Sequence, residues 1–346
     1  MLYVTTRSDA DAFTPHRVLV EKRGKDGGLY IPMRIPVFSA EDMDRFAGKR
    51  FSDTVAELIN LQFGSKLTSW DVDLALGRYP VRLKKLSHRI YAAECWHNTR
   101  GYLDRLTENI APYIDPELRE TPEGDWLPIG VRIAILFGIY GELNRAGIAN
   151  GQNPFDISVV SGDFISPISA WYARKFGLPI GNIICCCNEN SGVWNFLSHG
   201  QLRTGDSVVS TSIPNADVVA PEGLERLIRA VADPREAAVY RQCLDTGATY
   251  YLPNSVLPRL REAMLSSVVS QTRTLSTVSN CFASMGYVMS PYDGLCHAGL
   301  LDYRSRTGIG RPAVILSEYS PELDIGLLTR TLDRPEAELR TAMNTQ

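Results

Sequence analysis

The chain has 346 residues, of which 44% are apolar and 22% are charged, values that are typical of soluble globular proteins. Lys and Arg total 36 while Asp and Glu total 39, so the net charge of −3 gives no reason to expect nucleic acid or an anionic membrane as partner. The opening residues lack the apolar segment of a secretory signal, and the most apolar stretch, residues 129–139, is too short to span a bilayer. We therefore expect a cytoplasmic protein of two or three domains.

The first part of the chain predicts a helical block with a small sheet. Two glycines, alternating apolar residues and two prolines at residues 26–36 predict a turn into a short strand. Ser39, followed by acidic residues, is typical of a helix N-cap. Residues 54–63 place their large apolar side chains on one helical face.

The rest of the chain alternates strands and helices. After a polar break at residues 115–125, residues 127–143 are apolar nearly all round, as in a buried helix. A further helix is predicted over residues 167–176. Buried strands are predicted for three short apolar runs, at residues 157–161, 183–187 and 313–316. This order of strands and helices predicts parallel pairing and an α/β fold.

Neither the cysteines nor the histidines form a metal-binding pattern. The seven cysteines include three in a row at residues 185–187, which alternate between the faces of a strand and cannot share one ion. The five histidines show no paired spacing. We predict no metal site and read the cysteines as buried, reduced thiols.

Four stretches of the chain carry a family pattern. They are residues 26–32 (DGGLYIP), 160–164 (VSGDF) with 173–179 (ARKFGLP) and 188–190 (NEN), 218–227 (VVAPEGLERL), and 286–291 (GYVMSP) with the strand that ends at Ser317. In order and spacing they resemble threonine synthases, pyridoxal-phosphate (PLP) enzymes of fold type II, over about residues 29–320. The resemblance implies a parallel sheet with flanking helices, like that of the tryptophan synthase β subunit. It also implies a small α+β N-terminal domain over residues 1–93 and a remnant of the catalytic domain over residues 94–346.

The resemblance locates the family's cofactor-binding lysine at a leucine. That lysine lies in a motif of the form aromatic-His-Gly-Pro-Thr-x-Ala-Phe-Lys-Asp. Residues 96–104 (WHNTRGYLD) resemble the motif with one residue deleted, which puts Leu103 at the lysine position. A Schiff base needs a primary amine, and residues 90–115 contain no lysine. PLP is thus the implied family cofactor, but we expect no cofactor in this chain.

The resemblance implies that two other parts of the family's cofactor site remain only as vestiges. The former phosphate cradle consists of Ser161, Gly162, Asp163, Phe164 and Ser166. Asp163 would place a carboxylate near a dianionic phosphate, and Ile165 adds a branched side chain where the backbone must approach. Ser317 corresponds to the hydroxyl that meets the pyridine nitrogen, although serine at a strand end often caps the next turn instead.

The resemblance also implies that one cofactor subdomain is largely missing. A deletion near residues 108–126 joins the degraded lysine motif directly to a helix that follows the lost subdomain in the family. Such a loss removes one wall of the cleft and uncovers apolar surface. We therefore predict that the chain forms a homo-oligomer or binds an intact relative.

Three functions stay open at this point. The first is a pseudoenzyme that lacks PLP-dependent β/γ-replacement (phospho-lyase) activity and acts in binding or scaffolding. The second is a cofactor-independent enzyme with the weak candidates His97, Asp104 and Asp163, of which His97 and Asp104 are either an acid/base pair or packing residues of a former active site. The third is a diverged threonine synthase-like lyase whose amine comes from Lys84, Lys85 or Lys175. A small anionic ligand is predicted from nearby cations, which are otherwise solvated side chains: Arg100, Arg105, Arg174 and Lys175.

Overall fold

The N-terminal part of the protein contains a small sheet and four helices. The computed structural model describes residues 1–77, 81–97, 102–115 and 126–345. Strands β1 (Tyr3–Thr5) and β2 (Tyr30–Pro32) pair antiparallel. The helices are α1 (Pro15–Val20), α2 (Ala40–Gly48), α3 (Phe51–Phe63) and α4 (Ser69–Leu76). The predicted helical block with a short strand is confirmed.

The predicted N-cap at Ser39 is confirmed in detail. The backbone N–H of Asp42 donates to Ser39 Oγ at 3.2 Å, and the backbone N–H of Ser39 donates to the Asp42 carboxylate at 2.9 Å. This reciprocal pair satisfies two amides that the first turn of α2 leaves without intrahelical acceptors.

A six-stranded sheet forms the centre of the rest of the protein. The remaining strands are β3 (Arg82–Ser87), β4 (Ile90–Glu94), β5 (Phe155–Val160), β6 (Ile180–Cys187), β7 (Gln201–Arg203), β8 (Thr249–Tyr251), β9 (Leu265–Val268) and β10 (Ala313–Ser317). The order in the large sheet is β3-β4-β10-β5-β6-β9, while β7 and β8 pair separately. Strands β3 and β4 form an antiparallel hairpin, and all other neighbours in the large sheet are parallel. The predicted α/β fold is therefore confirmed.

Sequence patterns missed strands β3, β4 and β9. Strand β3 reads RLKKLS and lies at an edge of the sheet, where charged side chains discourage pairing with another chain. Strand β9 reads LSSV at the opposite edge. Edge strands are exposed on one side, so β3 and β9 lack the continuous apolar run that marked the central strands. Strand β4 is an inner strand between β3 and β10, so this explanation does not apply to it.

Helices cover both faces of the large sheet. They are α5 (Asp104–Ile114), α6 (Trp126–Arg145), α7 (Ile165–Phe176), α8 (Gly192–His199), α9 (Leu224–Val231), α10 (Pro234–Thr246), α11 (Leu257–Ala263), α12 (Gln271–Met285), α13 (Pro291–Thr307), α14 (Ile325–Leu332) and α15 (Glu336–Thr345), with 3-10 turns at Pro214–Ala216 and Pro321–Asp324. Cys185 and Cys187 pack in one apolar core with α3, α6 and α7, whereas Cys186 packs in a second core with α12 and α13. The predicted alternation of the three buried cysteines is confirmed.

Helix α6 is longer than the sequence pattern indicated. It has 20 residues and is long and apolar enough to cross a membrane by length and composition alone. Yet 89% of its most apolar window is buried inside the protein, against α2, α3, α5 and α7. Packing in the core thus explains its apolar composition.

The N-terminal part docks on α9. Arg226 Nε donates to the carbonyl oxygen of Tyr30 at 3.0 Å, and the Thr6 hydroxyl donates to the buried carboxylate of Glu225. The predicted domain boundary between residues 93 and 94 stays a prediction. Strand β4, which precedes it, pairs with β10 from Ile90 to Glu94 and so belongs to the central sheet.

Candidate functional site

The carboxyl ends of β4, β5 and β10 lie side by side and carry most of the residues singled out in the sequence. Because β10 lies between β4 and β5, the chain after Glu94, after Val160 and after Ser317 converges on one edge of the sheet. Ligands of open α/β sheets bind in crevices outside the carboxyl ends of the strands. This edge is therefore the candidate site.

Leu103 faces the protein core just before α5. Its side chain is 2% exposed and belongs to the apolar core shared with α3 and α6. Its backbone N–H donates to the carbonyl oxygen of Glu318 at 2.9 Å, which ties the start of α5 to the end of β10. Residues 98–101 of the motif, including Arg100, lie outside the described residues.

A buried arginine organises one side of the site. Arg132, on α6, is 5% exposed; its Nη2 donates to Asp104 Oδ1 at 2.6 Å and its Nε to Glu318 Oε1 at 3.0 Å. Ser166 donates its hydroxyl to the same Glu318 oxygen at 2.7 Å. Burial opposes the charge of Arg132, but Glu318 and Asp104 outweigh it and raise the pKa of Arg132 above its usual range. The guanidinium therefore stays charged and neutralises part of an acidic cluster.

A cavity of about 310 Å³ opens beside this cluster and has an acidic lining. Its walls include three carboxylates, from Asp104, Asp163 and Glu318, but one guanidinium, from Arg132. Gly162 and Ser166 of the predicted phosphate cradle also line it. The described cations proposed for an anionic ligand do not: Arg105 pairs with Glu108, Arg174 bonds backbone carbonyls near α11, and Lys175 lies over Trp171.

In the predicted phosphate cradle, the side chain of Asp163 binds a backbone amide that could otherwise bind an external anion. Asp163 Oδ1 accepts a hydrogen bond from the backbone N–H of Ile165 at 2.9 Å, at the start of α7. Phe164 is fully buried with a φ of 73°, a conformation that is unfavourable for a residue with a Cβ. Ser161 is 1% exposed and is not among the cavity-lining residues. An amide that a phosphate would use is thus already occupied.

Ser317 lies in a second buried cluster, away from the cavity lining. Its hydroxyl donates to Asp293 Oδ2 at 2.7 Å and accepts from Trp96 Nε1 at 3.1 Å. Ser317 is 0% exposed and Trp96 is 9% exposed. The serine therefore joins β10 to α13, and its hydroxyl proton is already donated to a carboxylate.

His97 binds Glu94 rather than Asp104. Its Nε2 lies 2.7 Å from Glu94 Oε2, and the other oxygen of Glu94 accepts from the Tyr287 hydroxyl at 2.6 Å. Asp104 instead binds Arg132, so the predicted pair of His97 and Asp104 is not formed. The chain turns back after β4, which brings His97 to the buried carboxylate three residues earlier.

Sequence reasoning missed the residues that hold the site together. Arg132, Glu94, Glu318 and Asp293 are each buried and charged or titratable. A signal was present, because each interrupts or ends an apolar run, and charged residues are rarely buried without a partner. The partners themselves come from distant parts of the chain and leave no local pattern.

Asp293 predicts a pH dependence of stability. Burial raises its pKa to about 7, and the charges of Glu94 and Glu318 act in the same direction. The unfolded carboxyl titrates near 4, so between about pH 4 and 7 the folded state binds more protons than the unfolded state. The Asp293 contribution to the free energy of unfolding therefore falls as pH rises through this window, by about 4 kcal/mol in all.

The variant Asp293→Asn isolates this effect, since its amide oxygen can still accept from Ser317. We expect its stability, measured by urea unfolding, to gain on the native protein steadily as the pH rises from 4 to 7. The variant must be compared with the native protein because a second group also changes stability in this pH range. Burial lowers the pKa of His297 to about 4, so its contribution to the free energy of unfolding rises as the pH rises. Parallel stability curves for the two proteins would contradict the prediction.

Comparison with known proteins relates the chain to one family. The family model described as Threonine synthase N terminus matches residues 2–75. Human threonine synthase-like 1 is 22% identical over 156 residues, or 44% of this chain and 21% of that protein. Threonine synthase of Saccharomyces cerevisiae is 25% identical over 166 residues, or 42% of this chain and 32% of that protein. These matches support membership of the threonine synthase family.

Solved threonine synthases share the fold of this chain. The yeast enzyme superposes with a TM-score of 0.85 at 15% identity, over 99% of this chain and 94% of the other. PLP-bound threonine synthase from Brucella melitensis superposes with a TM-score of 0.83 at 16% identity, over 96% and 91%. The predicted fold type II architecture is confirmed.

The predicted loss of a cofactor subdomain stays a prediction for this threonine synthase relative. Residues 116–125, within the proposed deletion near 108–126, lie outside the described residues. Within the described ranges there is one large, mostly parallel sheet. The matched segments span between about a fifth and a third of the curated relatives, whereas the structural matches span more than nine-tenths of the solved chains.

The described residues at this edge of the sheet do not fit PLP. The cavity lining includes no lysine among the described residues, and Leu103 faces the core. Asp163 occupies the Ile165 amide, and Ser317 is held by Trp96 and Asp293 outside the lining. Three carboxylates beside one guanidinium also repel a dianionic phosphate.

Proposed function

We propose that this chain is a threonine synthase-like protein without PLP-dependent phospho-lyase activity, which acts by binding rather than by catalysis. The single observation that carries the proposal is the position of Leu103, buried in the core where the family resemblance places the Schiff-base lysine. An apolar side chain cannot form the covalent link on which that chemistry depends.

The charge of the cavity supports the same proposal. Asp104, Asp163 and Glu318 face the space in which an anionic cofactor and an anionic substrate would have to meet. Arg132 is already committed to two of these carboxylates and offers no free charge to a phosphate. A ligand of this cavity would need to be neutral or cationic.

The geometry gives less support to a cofactor-independent enzyme. That alternative needs His97, Asp104 and Asp163 to converge on one cavity. Asp104 and Asp163 both line it, but His97 is absent from the lining and is bound to Glu94. Asp104 is bound to Arg132 and Asp163 to the Ile165 amide, so the three candidates do not form one acid/base pair.

The lysines proposed for a diverged lyase also lie elsewhere. Lys84 is on the edge strand β3, with its amine 5.8 Å from the centre of the Tyr287 ring. Lys175 lies over Trp171 near the end of α7. Neither is among the residues that line the cavity.

Reduction with borohydride in the presence of PLP tests the proposal. Purified protein is incubated with PLP, its visible spectrum is recorded, and any imine is reduced before peptide mapping. We expect no aldimine band and no single modified lysine. PLP-bound threonine synthase from Brucella melitensis, treated in parallel, is the positive control. A band fixed onto one lysine, including Lys84, Lys85 or Lys175, would refute the proposal.

A further inference from the structure

A second cavity, of about 700 Å³, lies in the N-terminal part, where the start of α3 meets α4 and the end of α6. Its size is in the range of small-molecule sites. It is lined by Gly48, Lys49, Arg50, Phe51, Ser52, Trp70, Asp73, Val81, Glu142 and Arg145. It shares no lining residue with the cavity at the edge of the sheet.

The N-terminus of α3 opens into this cavity without a cap. The first intrahelical hydrogen bond runs from Thr54 N–H to Arg50 O, and no side chain caps the amides before it. Ser52 lies in this first turn, lines the cavity and is 7% exposed. Within the described part of the chain no residue hydrogen-bonds its hydroxyl, which is open to the cavity and free to bind a ligand. Uncapped amides and an unused hydroxyl together form a site for an anion.

Two arginines are held in place around this helix start. Arg145 Nη1 donates to the carbonyl oxygens of Ala47 and Lys49 at 3.2 and 2.8 Å, which fixes its guanidinium at the junction of α2 and α3. Arg50 donates to Asp53 at 2.8 and 3.0 Å. It also reaches Ser69 Oγ at 3.0 Å, at the start of α4.

These cations are available to a ligand. Lys49, Arg50 and Arg145 outnumber the two lining carboxylates, Asp73 and Glu142. Their ion pairs with Glu57, Asp53 and Glu142 are partly exposed, and such pairs contribute only about 0–1 kcal/mol. A phosphate can therefore replace one of these partners at little cost.

An exposed tryptophan completes the site. Trp70 is 67% exposed, directly follows the serine that binds Arg50, and lines the same cavity. A large aromatic ring left open beside fixed cations offers a stacking surface for a planar group.

We propose that this cavity binds an organic phosphate that carries a planar ring, of the nucleoside monophosphate class. The phosphate lies at the start of α3, bound by its amides, the Ser52 hydroxyl and Arg50, with Arg145 as a second cation. The ring stacks on Trp70. The site is independent of the proposed loss of catalysis, since the two cavities share no lining residue.

Calorimetric titration of the full chain with AMP, adenosine and inorganic phosphate tests this proposal. We expect AMP to bind, adenosine to bind at least about tenfold more weakly, and inorganic phosphate to compete with AMP. Equal affinity for AMP and adenosine would overturn the proposal, as would absence of AMP binding up to about 10 mM.

Two variants assign the contacts. Arg50→Gln and Trp70→Ala are each expected to weaken AMP binding by about tenfold, while Trp70→Phe retains most of it. Both side chains are largely exposed, so the variants should fold, and unchanged thermal unfolding verifies this. Arg34→Gln, at an exposed arginine outside the cavity lining, is the matched control and should bind like the native protein. Unchanged AMP affinity in either Arg50→Gln or Trp70→Ala would refute the assignment.

Discussion

Replacing Arg132 with methionine is expected to lower the free energy of unfolding by about 3–5 kcal/mol, because it leaves a buried carboxylate without its cation. Glu318 is 6% exposed and receives hydrogen bonds from Arg132 Nε and from the Ser166 hydroxyl. Without the guanidinium, the Ser166 hydroxyl alone cannot compensate for its desolvation. Urea unfolding at neutral pH, with the slope of the transition checked for two-state behaviour, measures the loss.

Two further variants separate the charge effect from the change in packing. In Arg132→Met combined with Glu318→Leu, both buried charges are removed, and we expect most of the lost stability to return. Arg105→Met, on the exposed face of α5, breaks a surface pair with Glu108 and should cost less than about 1 kcal/mol. If the double variant is as unstable as Arg132→Met, the loss comes from packing and the account of a buried ion pair is wrong.

Leu103→Lys is expected to restore the amine of the family motif without restoring cofactor binding. The new side chain would enter the apolar core with α3 and α6, where an ammonium group has no partner among the described residues. We expect the variant to be less stable by about 3 kcal/mol or more, and the pKa of the amine to fall because burial disfavours its charged form. After incubation with PLP and borohydride, peptide mapping should find no cofactor on position 103.

The control for this variant keeps the volume and omits the charge. Leu103→Met should cost less than about 1.5 kcal/mol, since it is close to isosteric. A stable Leu103→Lys variant that forms an aldimine would show that the cavity still accepts PLP. The acidic lining and the occupied Ile165 amide would then not be the barrier that we infer.

The sequence predicted the central features of the fold because they depend on local pattern. The three buried strands, the long apolar helix and the N-cap at Ser39 each follow from side chains that are neighbours along the chain. The family resemblance added the order of these elements and the position of Leu103. Exposed edge strands such as β3 were not predicted, because their charged residues resemble those of a loop.

The chemistry of the site depended on residues that are far apart in the sequence. Glu318 lies 186 positions from Arg132, and Ser317 lies 221 positions from Trp96, yet both pairs are in hydrogen-bond contact. No local pattern could favour His97 with Glu94 over His97 with Asp104. Tertiary contacts decide it, because Arg132 of α6 binds Asp104, while the Tyr287 hydroxyl binds the second oxygen of Glu94. The sequence by itself thus predicted, through the family resemblance, a leucine at the family's amine position, and only the tertiary structure decided which charges line the cavity at the edge of the sheet.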